Sequence, residues 1–200
     1  MKKTNYFFNF VRSYRNLFLK VLLFEIFYSI RFGSLIPKMK IQNNSSRTDT
    51  VPCIYYFLYE ISKFLEEKRI KTIVDVGSGY GRVVNFISSK NKIKSIGIEY
   101  DKEVHKLALK NRNKNTVLHC GDVFSFNLKR LNSRCFILVD PFKKVRDRNK
   151  FLNKIRRIYP NKIKYIIAVN NYKGSFPKFS KLIKSIIASK TRTLKIYKID

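Results

Sequence analysis

The sequence predicts an α/β domain, a doubly wound and mostly parallel sheet preceded by an N-terminal helical extension. Three observations predict it. From residue 72 onward, short β-branched runs alternate with helical stretches, a spacing that marks successive strand–helix units. Three of the seven glycines, Gly77, Gly79 and Gly81, crowd between the first of those strands and the helix after it. Four acids, Asp75, Glu99, Asp122 and Asp140, end or closely follow four successive predicted strands.

Taken in order, Tyr6 to Phe32 is rich in Phe, Leu, Ile and Tyr and reads as one helix. Arg12, Arg15, Lys20 and Glu25 interrupt it well short of the roughly 18 uncharged residues that a membrane span needs. No small-residue cleavage site follows, which argues against a secretory leader. The helix is too apolar on several faces to stay bare in water. It is expected to pack on its own domain, to form a homodimer, or to make a peripheral membrane contact. Residues 33–52, with Gly33, Pro37 and Pro52, read as a polar loop, so 1–52 form an appendage and 53–200 the main domain. A helix over 53–68 places Phe57, Ile61, Phe64 and Leu65 on one stripe.

The alternation then runs as strand 72–76, helix 82–89, strand 94–99, helix 102–111, strand 116–120 and strand 134–139. It continues with helix 146–158, strand 165–169, helix 179–188 and a closing strand 193–199. Sheets of this kind bind ligands at the carboxyl ends of their strands, near the reversal of strand order.

The net charge of +30 is unevenly spread. Residues 143–200 carry 18 basic and 2 acidic side chains, whereas 51–142 carry 16 and 9. Lys143, Lys144, Arg146, Arg148, Lys154, Arg156 and Arg157 suit the phosphates of a nucleic acid or another anionic partner, or form an ordinary solvated helix face. Cys53, Cys120 and Cys135 are odd in number and lack metal-ligand spacing. They read as buried thiols in a reducing, cytoplasmic compartment, with no metal site and no disulfide frame. His105 and His119 are the only histidines, too few for a histidine-rich metal site.

The chemistry gathers on the glycine loop. Glycines there allow backbone angles closed to other residues and let a ligand approach the main chain, and the helix start beyond offers free N–H groups and a positive dipole end. In a dinucleotide site the third glycine comes three positions after the second, which here is Arg82. The acid two residues before the first glycine suits S-adenosylmethionine (SAM) instead, its carboxylate by the loop and its ammonium facing Asp75 directly or through water. A tight strand–helix turn is the plainer reading of the same loop. Glu99 is placed to accept ribose hydroxyls, Asp122 to accept from an adenine amino group, and Asp140 lies where the transferred methyl would point. Each acid taken alone could be a cap or turn residue, Asp122 more readily than Glu99; an acid at each of four strand ends in so acid-poor a chain favours the cofactor.

IVDVGSGYGRV, IGIEYD, HCGDVF and LVDPF resemble the first four motifs of class I SAM-dependent methyltransferases over roughly residues 70–145. The GSGYGRVV stretch with the following GIE is also similar to the non-SET histone lysine methyltransferases and to small bacterial methyltransferases of uncertain substrate. The resemblance implies the Rossmann-like methyltransferase fold, a seven-strand sheet whose last strands run antiparallel, with one strand absent or irregular in so short a chain. It implies SAM as cofactor, held by Asp75, Gly77, Ser78, Gly79, Gly81 and Glu99, with Asp122 and Val123 at the adenine. LVDPF resembles the Asp/Asn-Pro-Pro-aromatic motif of amino-group methyltransferases with one proline missing. Asp140, Pro141 and Phe142 are thereby the expected catalytic residues, and a nitrogen of a protein or nucleic acid the expected methyl acceptor. Asn170, Asn171 and Tyr172 are further polar groups at the same sheet edge. Two other classes stay open at this point: an aminopropyl transferase of related fold, and a non-catalytic module that binds RNA, membrane or a partner.

Overall fold

The computed structural model describes residues 9–32, 50–158, 160, 164–170 and 174–199. Seven strands form one sheet in the order β3-β2-β1-β4-β5-β7-β6. They are β1 (Thr72–Val76), β2 (Lys94–Glu99), β3 (Thr116–Cys120), β4 (Cys135–Val139), β5 (Lys164–Val169), β6 (Ser180–Ile187) and β7 (Thr193–Ile199). The first five are parallel. β7 runs antiparallel between β5 and β6. The strand order reverses between β1 and β4, so the carboxyl ends of these two strands open the crevice where such sheets bind ligands.

The helices are α1 (Phe18–Phe32), α2 (Tyr55–Glu67), α3 (Arg82–Asn91), α4 (Lys102–Lys110) and α5 (Val145–Ile158). Strand residues alternate between two cores, as the pleat dictates. Ile73, Ile137, Ile167 and Ile196 join the α2 stripe of Phe57, Ile61, Phe64 and Leu65. Their chain neighbours Val74, Phe136, Ile166 and Tyr197 face the other way, onto Phe151, Leu152 and Ile155 of α5. Burial on both faces is why the central strands read as continuous apolar runs.

Two expectations are corrected. Residues 179–188 are not a helix but the edge strand β6, paired with β7 through a tight connection in which Ala188 N–H donates to Arg192 C=O at 2.9 Å. Its register shifts between Leu182 and Lys184. A bulge of this kind breaks the inside–outside alternation, which leaves apolar pairs at 182/183 and 186/187 that mimic a helical period. All seven strands are present, one of them irregular. The N-terminal segment is not one helix either: a helical turn at 9–12, a bend at Ser13 and Tyr14 and a 3-10 turn, Arg15–Leu17, precede α1. The break has a tertiary cause. Asn16 N–H donates to Ala188 C=O at 3.1 Å, and Tyr14 is fully buried against Phe57, ring centroids 5.7 Å apart. Residues 33–49 of the expected polar loop, and 6–8 of the expected helix, lie outside the described residues.

Phe10, Val11, Tyr14 and Val21 share a core with the sheet, so the N-terminal segment contributes to stability directly. Tyr14→Ala is expected to cost about 3–5 kcal/mol in urea unfolding. Leu19→Ala, on the exposed side of α1, is expected to stay within about 0.5 kcal/mol. Equal effects would mean that the segment is an appendage rather than part of the core.

Candidate active site

A cavity of ≈ 940 Å³ opens at the carboxyl ends of β1, β2, β3 and β4, within the size range of small-molecule and cofactor sites. Its floor is the loop after β1. Gly77, Gly79 and Gly81 all have positive φ, at 72°, 54° and 81°. Side chains are excluded there for steric reasons as well: a Cβ on Gly77 would stand 2.9 Å from the Cβ of Pro141, and one on Gly79 2.7 Å from Cγ2 of Thr50. Gly81 is the left-handed N-cap of α3. Beneath the loop, Gly97 of β2 leaves room for Ser78, whose Oγ would lie 2.7 Å from any Cβ there.

Glu99 binds the loop to the end of β2. One of its carboxylate oxygens accepts from Gly79 N–H and the other from Asp101 N–H, both at 2.8 Å. Each oxygen retains a further lone pair, so the same carboxylate that braces the loop can also accept from a ligand. Asp101 itself caps α4, accepting from Glu103 N–H and Val104 N–H.

Asp75 is the opposite case. It is 1% exposed, and neither carboxylate oxygen has a hydrogen-bond partner. Burial, and then the negative charge of Glu99, push its pKa from the ordinary 3.8 up to about 8. Unpaired buried carboxylates are costly, and one that lines a cavity marks the place of a missing cation or donor. Ser78 Oγ is likewise buried without a partner.

The remaining predicted residues divide. Asp122 and Val123 line the cavity. One Asp122 oxygen accepts from Phe124 N–H at 2.9 Å, so this acid also shapes its own turn. Pro141 and Phe142 line the cavity, but Asp140 is not among its wall residues. Asp140 directly follows β4 with a left-handed φ of 44°. Asn170 is buried, with its N–H bonded to Thr193 C=O, and stands outside the wall. Asn171 and Tyr172 lie outside the described residues.

Sequence reasoning missed the wall contributed by residues that precede β1. Phe32, Thr50, Cys53 and Tyr55 line the cavity together with Arg82. Arg82 lies over the Tyr55 ring, 3.8 Å from its centroid, and pairs with Glu25 of α1. The other Glu25 oxygen accepts from Tyr55 N–H at 2.6 Å. Glu25 is wholly buried, and Nη1 of Arg82 is buried without a partner. A signal existed: Glu25 is the single acid in residues 1–48 and sits inside an apolar helix.

Two of the basic residues assigned to an outward face point inward instead. Lys154 Nζ donates to Val123, Phe124 and Phe126 C=O and so fastens the Asp122 loop. Arg148 is buried, donates to Ser175 C=O at 2.6 Å and covers the Phe176 ring. Lys143, Lys144, Arg146, Arg156 and Arg157 are exposed. Cys120 is exposed as well, against the expectation of three buried thiols.

Residues 52–196 match the profile of histone methylation protein DOT1, and the chain belongs to that family. Its class is that of the SAM-dependent methyltransferases. Among solved structures it is similar to an RNA methyltransferase of Salinibacter ruber in complex with S-adenosyl-L-homocysteine (SAH), 18% identical with a TM-score of 0.54 over 74% of this chain and 94% of that one. It is also similar to yhhF of Escherichia coli, assigned as a methyltransferase, 12% identical with a TM-score of 0.57 over 75% and 87%. A Staphylococcus aureus protein assigned as a caffeoyl-CoA O-methyltransferase is 13% identical, with a TM-score of 0.55 over 75% and 86%. At such identities the likeness is one of fold. No curated protein matches the chain.

The site fits SAM on two features: a buried carboxylate with no partner of its own, and a glycine floor from which side chains are excluded. Because Asp75 holds its proton in the folded chain and releases it when unfolded, ligand-free stability should fall as pH rises from about 4 to about 8. Asp75→Asn should remove that slope and raise the melting temperature above pH 8 while weakening SAH binding. A variant that melts below wild type above pH 8 would show that Asp75 is paired and ionised.

Proposed function

We propose that this chain transfers a methyl group from SAM to a nitrogen of a macromolecular acceptor, with nucleic acid favoured over protein. The observation that carries the reading is Asp75, sealed under the glycine loop with both oxygens unbonded. A cationic amino group is the partner that this carboxylate lacks, and the free Nη1 of Arg82 offers a donor to a carboxylate in the same cavity. When bound, SAM supplies a methyl that is already electrophilic.

The chain's own task is then alignment and desolvation, which together can lower a barrier substantially. Glu99 holds the loop rigid and keeps lone pairs for hydroxyl groups. Asp122 and Val123, fixed by Lys154, form the far wall. Pro141 and Phe142 shape the end of β4 against which an acceptor nitrogen packs. Asp140 beside them, outside the cavity wall in the ligand-free chain, is the candidate acceptor of its proton once an acceptor is seated, and the left-handed backbone there directs the chain away from a regular strand end.

Charge argues for the acceptor class. Lys143 lines the cavity mouth, and Lys144 and Arg146 follow it in solvent. A chain of net charge +30 repels a basic peptide tail and attracts a polyphosphate. The family's description names histones and one structural neighbour acts on RNA; the charge balance here sides with the second.

Incubation with methyl-labelled SAM and a fractionated cell lysate tests this. Label is expected in nuclease-sensitive material, released as a methylated base. Asp75→Ala should abolish labelling by loss of cofactor binding. Asp140→Ala should lower turnover on the order of a hundredfold with SAH affinity kept. Label in protease-sensitive material alone would transfer the acceptor to protein; no label despite SAH binding would leave a non-catalytic module.

A further inference from the structure

The α1 helix, unlike an ordinary surface helix, is apolar on both sides: Phe18, Leu22, Phe24, Tyr28 and Phe32 pack against the core as well. Its inward line is Val21, Glu25 and Ser29, all buried. Its outward face carries Leu19, Leu23, Ile26, Phe27 and Ile30, between 41% and 73% exposed. Positions 19, 23, 26 or 27 and 30 follow the helical repeat, so these side chains form one continuous stripe. Exposed apolar patches of this kind mark an interaction surface.

Basic side chains frame the stripe. Lys20 and Arg31 are exposed at its two ends, one helical turn from Leu23 and Phe27, and Arg12 and Arg15 are exposed just before it. Residues 9–32 hold no exposed acid, because Glu25, the single acid among them, is buried. No described helix is long and apolar enough to cross a membrane. Two copies of this face meeting about a two-fold axis would bring like charges together. An anionic bilayer surface takes up the apolar stripe and neutralises its frame at once.

We infer that α1 docks this protein on an anionic membrane surface, lying in the interface with Leu19, Leu23, Phe27 and Ile30 among the acyl chains and Lys20 and Arg31 at the headgroups. The inward face stays anchored by the Glu25–Arg82 pair, so docking requires no unfolding of the helix from its domain.

Sedimentation of the full chain with vesicles tests the inference. Wild type is expected to co-sediment with phosphatidylglycerol–phosphatidylcholine vesicles and not with phosphatidylcholine alone, and added salt should weaken binding. The double variant Leu23→Glu, Phe27→Glu should lose binding on the order of tenfold or more, with an unchanged melting temperature as the folding control. Lys20→Glu, Arg31→Glu, which leaves the apolar stripe intact, should also weaken binding to the anionic vesicles and flatten its dependence on salt. Wild type that stays in solution with anionic vesicles would overturn the inference, as would glutamate variants that bind like wild type. Light scattering that shows a dimer abolished by Leu23→Glu, Phe27→Glu would overturn it in favour of a second copy.

Discussion

The site is organised around a carboxylate that the protein isolates from water and leaves without a partner. Asp75 is the penultimate residue of the central strand β1, between β2 and β4, at the reversal of strand order. Nearly every neighbouring peculiarity follows from roofing that acid. The loop above it turns back at once, which requires three residues of positive φ. It lies so close to Pro141 on one side and Thr50 on the other that only glycine fits. Gly97 clears space below, and Glu99 clamps the loop from β2 through Gly79 N–H. Neighbouring acids thus receive opposite treatment: Glu99 accepts two backbone N–H groups, while Asp75 accepts none and retains its proton to about pH 8. Folding energy is spent there without a return inside the chain itself, which is the signature of a group that works on a ligand.

The N-terminal segment belongs to this arrangement. Glu25 reaches from α1 to Tyr55 N–H at the start of α2 and to Arg82 at the start of α3. Three helices therefore converge on one carboxylate. Removing one partner of such a pair leaves the other charge buried, which costs about 3–5 kcal/mol in comparable cases. The pair also aims Arg82 across the Tyr55 ring into the cavity wall. Position and charge are thus set from outside the strand–loop–helix unit that carries the glycines.

What was legible in the sequence was local. β1 to β5 and β7, the glycine loop and the strand-end acids are written in short runs whose meaning depends on neighbours in the chain. Failures arose where meaning depends on distant contacts. β6 carries apolar pairs at a helical interval because a bulge at its middle resets the pleat, and only the β7 edge beside it makes that segment a strand. Tyr14 breaks the N-terminal helix because Phe57 and the β6–β7 connection receive it. Arg82 reads in the sequence as a missing glycine; its partner stands 57 residues earlier. Lys154 and Arg148 read as outward charge because nothing in their own helix reveals the carbonyls of Val123 or Ser175 opposite them.

The basic surplus accordingly has two kinds of member. Some cations are internal fasteners: Lys154 on the Asp122 loop, Arg148 on the Phe176 segment, Arg82 on Glu25. Each is paired with backbone carbonyls or a carboxylate inside the fold. Others are exposed, among them Lys143, Lys144 and Arg146 beside the cavity and Arg12, Arg15, Lys20 and Arg31 on and just before α1, where like charges repel one another. α1 connects the site to the apolar stripe: its inner face holds Arg82 in the cavity wall and its outer face carries the framed stripe.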